Sequence, residues 1–267
     1  MLTENTTHGT GRCVERIGLD GLALKPTETA IEALESVPVE TLTIDYEGTE
    51  SLPSAEVLAR LGADADVRVT TPVRADGFDP LGDDSLATAL PGEVGRVLVA
   101  GHPAYLSADE RRRAVAPRLG SALETDPDAW VGSESIERIA MATGAGQFDL
   151  LTATTEREVR ALRAAGFDGD VAVYAPTVLS DDEDVLLDAV GDYVSRRPAV
   201  ANALPTDAPT DATATGQARE TLLAGIDDFA LAGTVETVSE RIDRLRSIGV
   251  TTVVGYPARG LDTLLES

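Results

Sequence analysis

The chain has 267 residues, of which 46 are acidic and 22 basic, and its formal net charge of −24 repels phosphate backbones and anionic bilayers, which excludes nucleic acid and anionic membranes as partners. Hydrophobic residues at 43% and charged residues at 25% describe a globular chain with ample core rather than a disordered one. A lone Cys13 allows no internal disulfide, no apolar run reaches the ~20 residues of a membrane span, and the opening MLTENTTHGTGR lacks a signal peptide's apolar centre, so a cytoplasmic protein is expected.

Residues 1–13 are polar and read as a flexible lead-in to a single domain over 14–267. Eight apolar runs of strand length follow in order, at 17–24, 41–46, 67–73, 96–101, 129–133, 148–153, 171–177 and 251–256. Helical spacing lies between them, in TETAIEALESV (27–37), SADERRRAVAPRLGSAL (107–123), TEREVRALRAAGF (155–167) and DDEDVLLDAVGDYVSRR (181–197). Thr154-Thr155-Glu156 and Ser180-Asp181-Asp182 carry the small polar and acidic groups that cap helix starts, while Gly166 and Gly249 stand where helices end. The stretch 203–217, rich in Pro, Thr, Asp and Ala, has no apolar period and reads as a surface loop or disordered excursion. Eight alternating units at this length predict a (βα)8 TIM barrel; the competing doubly wound sheet would show a GxGxxG turn, and none is present.

Barrel enzymes place their chemistry at the C-terminal ends of the strands. Those positions hold Lys25, Asp45-Tyr46-Glu47, Thr70 to Arg74, His102 with Tyr105, Ser133-Glu134-Ser135, Thr152 with Thr154, Tyr174 with Thr177, and Tyr256 with Arg259. Such a ring suits a polar ligand, although strand ends run into loops and loops are polar in any case. His102 is one of two histidines, and an imidazole at a strand end titrates near neutral pH, so with Asp45 and Tyr105 it forms the candidate catalytic set. Lys25 is the only lysine in a chain whose other basic residues are arginine. A lysine at a barrel mouth can form an imine with a carbonyl substrate if its neighbours lower its pKa. The excess of acid with almost no lysine is the composition of proteins from salt-loving cells, where molar salt screens self-repulsion. No zinc or calcium spacing and no GxSxG elbow occurs.

The segment from Phe229 to Val254, with Gly233-Thr234, Glu236, Val238, Arg241, Ile242, Leu245 and Gly249-Val250, resembles the end of the luciferase-like monooxygenase superfamily, nearest to coenzyme F420-dependent reductases of the methylenetetrahydromethanopterin reductase type. Asp66 to Val73, Gly95 to Gly101, and Ser135 to Ala140 followed by Gly146 to Leu150 resemble further strands and a helix of that family. The resemblance implies F420, or alternatively FMN, lying across the barrel mouth for hydride transfer to a small-molecule substrate, and a possible homodimer. It implies that Thr70, Thr71 and Arg74 meet the ring or tail, that His102 and Tyr105 meet the ring edge or substrate, and that Thr152 or Thr177 meet the phosphate. Arg74, Lys25 and Arg259 would attract the anionic tail. The chain departs from the family between Ala104 and Asp128, where a substrate-covering insertion is missing, at Gly101-His102-Pro103-Ala104, and at Gln147-Phe148-Asp149-Leu150, where a glycine is missing. These departures keep a second reading open, a cofactor-free barrel that binds a ligand or partner without catalysis.

Overall fold

The computed structural model describes residues 12–34, 38–73, 86, 89–101, 112–134 and 136–265. All eight expected strands form: β1 (Gly21–Leu24), β2 (Thr41–Ile44), β3 (Asp66–Pro72), β4 (Gly95–Val99), β5 (Trp130–Gly132), β6 (Gln147–Leu150), β7 (Val171–Leu179) and, last in sequence, β9 (Thr252–Pro257). Every pairing is parallel, and the sheet closes because β9 bonds both β7 and β1. The result is a single-domain (βα)8 barrel. A short additional strand, β8 (Leu231–Gly233), extends the barrel rim by pairing with Thr177 to Leu179 of β7.

Strand alternation divides the side chains into two layers. Leu22, Leu24, Leu42, Ile44, Val67, Val69, Val171, Val173 and Val253 face outward into the helix layer. Ala23, Val97, Trp130, Phe148, Ala172, Tyr174 and Val254 fill the barrel interior. Around the barrel run α1 (Arg12–Ile17), α2 (Ala55–Gly62), α3 (Val115–Thr125), α4 (Glu137–Thr143), α5 (Thr155–Ala164), α6 (Glu183–Ser195), α7 (Pro198–Ala203), α8 (Gly216–Phe229), α9 (Val235–Ser247) and α10 (Asp262–Leu265).

The longest excursion is the return from β7 to β9, where α6 and α8 pack Leu187, Val190, Val194, Leu222 and Ile226 into a core of their own. Residues 204–215 of this return form neither helix nor strand and lie on α6, with the Ala212 amide donating to Asp188 at 2.9 Å. Ser54, Asp182 and Thr234 cap α2, α6 and α9 by accepting from amides of the first turn.

Two local expectations fail. Thr154 makes no capping bond to α5, because its hydroxyl turns to that of Thr152 at 3.1 Å. In the described part of 27–37 only a 3-10 turn, Ile31–Ala33, forms. There the Thr27 amide and hydroxyl both donate to Glu47, at 2.9 and 2.8 Å, and Glu28 is drawn to Tyr256, so tertiary bonds outcompete helical spacing.

Candidate active site at the barrel mouth

Four of the interior residues form a ladder of rings, one from each of four neighbouring strands. Trp130 stacks on Phe148 with centroids 6.1 Å apart, Phe148 meets Tyr174 at 6.1 Å, and Tyr174 stacks on Tyr256 at 6.3 Å. The registers pair Phe148 with Gly132's level, Tyr174 with Leu150 and Tyr256 with Pro176, so each ring stands two residues further along than the one before. Cations close both ends: the Arg68 guanidinium lies 4.1 Å over Trp130 and the Lys25 ammonium 4.3 Å over Tyr256.

Beside the upper rungs opens a cavity of about 210 Å³ lined by Asp45, Thr70, Val99, Gly132, Glu134, Phe148, Leu150, Tyr174, Tyr193 and Arg197. Val99, Phe148 and Leu150 are apolar, and Gly132 leaves the wall flat. Thr70 accepts the Tyr46 amide at 2.7 Å, which ties the loop after β2 to β3. Arg197, placed between α6 and α7, packs over the Tyr193 ring at 4.2 Å and bonds Glu134 at 3.4 Å. The Tyr174 hydroxyl makes no hydrogen bond among the described residues, and neither the buried Tyr193 hydroxyl nor Arg197 Nε finds a partner of hydrogen-bonding geometry. Burial first, then the Asp45 charge, pushes the Tyr174 phenol well above its ordinary pKa. Burial likewise raises Tyr193 against the opposing pull of Arg197. Both phenols therefore stay protonated at neutral pH and are able to donate.

Of the residues singled out from the sequence, Asp45, Thr70, Glu134 and Tyr174 line this cavity. Arg74, His102, Tyr105 and Ser135 lie outside the described residues. Thr71 and Thr177 are buried in phase with the outward-facing aliphatics, their hydroxyls turned back on Val69 and Ala175 carbonyls at 3.1 and 3.2 Å, so neither reaches the mouth. Thr152 sits in a different cleft of about 580 Å³, where Arg157, Arg160, Arg241 and Arg244 alternate with Glu156, Asp227, Asp228 and Glu240. Arg259 is exposed in the loop after β9. Lys25 donates to Glu28 at 3.1 Å and to the Tyr256 hydroxyl at 3.3 Å. Burial alone would lower its pKa, but the Tyr256 and Glu28 oxygens outweigh that and raise it, so the condition for imine chemistry is not met.

Tyr193 and Arg197 were not legible as site residues, since 181–197 reads as an ordinary amphipathic helix. Their i, i+4 spacing at its end, beside the aliphatic stripe of Leu187, Val190 and Val194, is the signal that would have found them.

A family model described as a family of unknown function, DUF7388, matches residues 14–264. No curated protein matches the chain in sequence. Among solved structures, an F420-dependent secondary alcohol dehydrogenase in complex with an F420-acetone adduct matches with a TM-score of 0.56 over 92% of this chain and 96% of its own, at 12% identity. At that identity the likeness establishes the fold.

Proposed function

The chain belongs to the DUF7388 family, and we propose that it is an oxidoreductase that holds F420 or a flavin at the barrel mouth and transfers hydride to a small-molecule substrate in the cytoplasm. The observation that carries this reading is the mouth cavity, an apolar wall beside protonated phenols and one arginine, in a fold shared with an F420-dependent dehydrogenase. The residues present fit the ring part of such a group: Val99, Gly132, Phe148 and Leu150 offer a flat apolar bed, and the Tyr174 hydroxyl is a donor with no partner among the described residues. Bound there, a deazaflavin or flavin supplies hydride transfer at its ring.

The chain's own groups do the rest. Arg197 attracts the anionic part of the cofactor or substrate. Tyr174 donates a hydrogen bond to a substrate oxygen, and Asp45, with His102 and Tyr105, which follow β4 in the sequence, carries the proton that accompanies hydride transfer. Arg74 and Arg259 are proposed as further contacts for the tail. A second reading, a barrel that binds a ligand without a redox cofactor, is favoured by Lys25, which is occupied by Glu28 and Tyr256, and by Asp45 and Glu134, which face an anionic tail with repulsion.

Titration in molar salt with oxidised and reduced F420 and with FMN, followed by cofactor fluorescence, separates the two. Saturable binding that weakens in Tyr174→Phe and Arg197→Ala supports the oxidoreductase; no binding of any of the three at micromolar protein refutes it and leaves the second reading.

A further inference from the structure

On the outer face of β6 the sequence breaks the rule its neighbours obey. β5 and β7 present Val131, Val171 and Val173 to the helix layer, whereas β6, whose Phe148 packs inward, presents Gln147 and Asp149. Gln147 is accounted for, because its amide donates to the carbonyls of Ala140 at 3.2 Å and Ala145 at 2.6 Å and so secures the end of α4. Asp149 is not accounted for in this way. It accepts the Ser133 hydroxyl at 2.5 Å and is held by the Leu150 backbone amide, but it forms no ion pair among the described residues.

Between α4 and α5 the helix layer stays open above it, leaving a groove of about 290 Å³. Met141, Val159, Leu162 and Val171 give this groove apolar walls, and Glu137 and Glu158 stand at its sides. Among the described residues no arginine or lysine lines it, and the counter-charge to Glu158 is the exposed Arg157, 3.4 Å away. Met141, half exposed, is the one large hydrophobic side chain that is exposed among the described residues.

A carboxylate in an apolar layer is expensive unless a cation meets it, and two like charges nearby add to the cost. Burial, then Glu158 and Glu137, hold the Asp149 pKa above its ordinary value despite the bonds from the Ser133 hydroxyl and the Leu150 amide. A bare metal ion wants a shell of oxygen ligands, which apolar walls do not provide. An anion is repelled. We propose that the groove between α4 and α5 binds a small organic ammonium, its charged head against Asp149 and between Glu137 and Glu158, and its apolar body along Met141, Val159 and Leu162. The groove lies outside the barrel and shares no lining residue with the mouth cavity, so its occupancy is independent of the redox reading.

The chain has two methionines, Met1 and Met141, so methyl-labelled protein gives a resonance inside the groove that needs no substitution to be read. The probes are 2-phenylethylammonium and its neutral analogue 2-phenylethanol, titrated to millimolar concentration at matched salt without cofactor. The expected result is a saturable shift of the Met141 methyl with the ammonium, about tenfold or more weaker with the alcohol. Asp149→Asn, which removes a buried charge and so does not threaten folding, is expected to reduce ammonium affinity about tenfold or more, with Glu158→Gln reducing it less. Arg197→Ala, at the mouth, is expected to leave it unchanged. No saturable shift, an equal response to the alcohol, or undiminished affinity in Asp149→Asn overturns the proposal.

Discussion

A β-carbon added at Gly191 tests how the long return from β7 to β9 is held. Gly191 is buried in the middle of α6, and an added methyl would stand 1.9 Å from the Thr210 carbonyl oxygen and 3.0 Å from its carbon. Ordinary contact begins near 3.4 Å, so loop and helix must separate by about 1.5 Å, a shift of the size that makes overpacking destabilising. The obstacle is backbone and cannot rotate away. Separation also strains the bond from the Ala212 amide to Asp188 one turn earlier on the same helix. Overpacking costs about 1–3 kcal/mol and a lost hydrogen bond about 1 kcal/mol, against about 1 kcal/mol gained from alanine's helix propensity. Gly191→Ala is therefore expected to lose about 1–3 kcal/mol in urea unfolding at fixed high salt. Gly120→Ala in α3, where nothing lies within 4 Å of the added carbon, shows the propensity term alone and is expected to gain up to about 1 kcal/mol. Because α6 carries Tyr193 and leads into Arg197, Gly191→Ala should also weaken whatever binds at the mouth. A Gly191→Ala protein as stable as its parent would mean that residues 204–215 do not lie on α6, and the reasoning would fail.

Three further outcomes follow from the structure. Arg163→Lys keeps the charge but loses the fork that reaches three carbonyls, of Phe167, Gly169 and Gly249, so it is expected to lose about 1–3 kcal/mol in the same unfolding assay, whereas exposed Arg157→Lys is neutral. For Glu28, burial raises the carboxyl pKa but the bonds from Tyr256 and Lys25 outweigh it and lower it overall. Its stabilisation is therefore present above the ordinary value of 4.5 and lost as pH falls through the depressed one, so the stability gap between parent and Glu28→Gln should be open at neutral pH and close in acid; a gap that widens in acid refutes the clamp. The thermal midpoint is expected to fall on dialysis from molar to low salt, as −24 charges lose their screening, and an unchanged midpoint would refute the salt dependence.

The eight strands were legible because burial on both faces gives near-continuous apolar runs, and no tertiary contact changes that pattern. β8 was not, because three residues held against the end of β7 carry too short a pattern to stand apart from the helix they follow. The segment at 27–37 misled for the opposite reason: its spacing is helical, but Thr27 and Glu28 are claimed by Glu47 and Tyr256, partners far along the chain. At the mouth, strand-end position picked out Asp45, Thr70, Glu134 and Tyr174, which line the cavity. It misassigned Thr71 and Thr177, since one residue along a strand reverses the face, and the phase is fixed only once the barrel closes. Tyr193 comes from α6 and Arg197 from the turn that follows it, where no strand-end rule applies.

The imbalance between arginine and lysine also acquires a structural reason beyond salt. Arginines across the fold act as clamps on backbone carbonyls as well as on carboxylates. Arg163 joins the end of α5 to the turn after α9, Arg246 joins α9 to the carbonyl of Gly18 and the carboxylate of Asp20, and Arg241 reaches the Ala230 carbonyl before β8. Arg96, buried, pairs with Asp126 and reaches the Ala122 carbonyl at the end of α3. Each spans two elements with several donors in one plane, which a single ammonium cannot do. Lys25 is the exception because its task is a point contact, an ammonium over one ring with two oxygens beside it. With so much of the positive charge engaged in holding the barrel shut, the mouth cavity is left with Arg197 as the one cation among its described lining residues. Any anion that binds there must compete with Glu134 for it, so its affinity should rise when Glu134 is neutralised to Gln, and a Glu134→Gln protein that binds no better would remove Arg197 from the site.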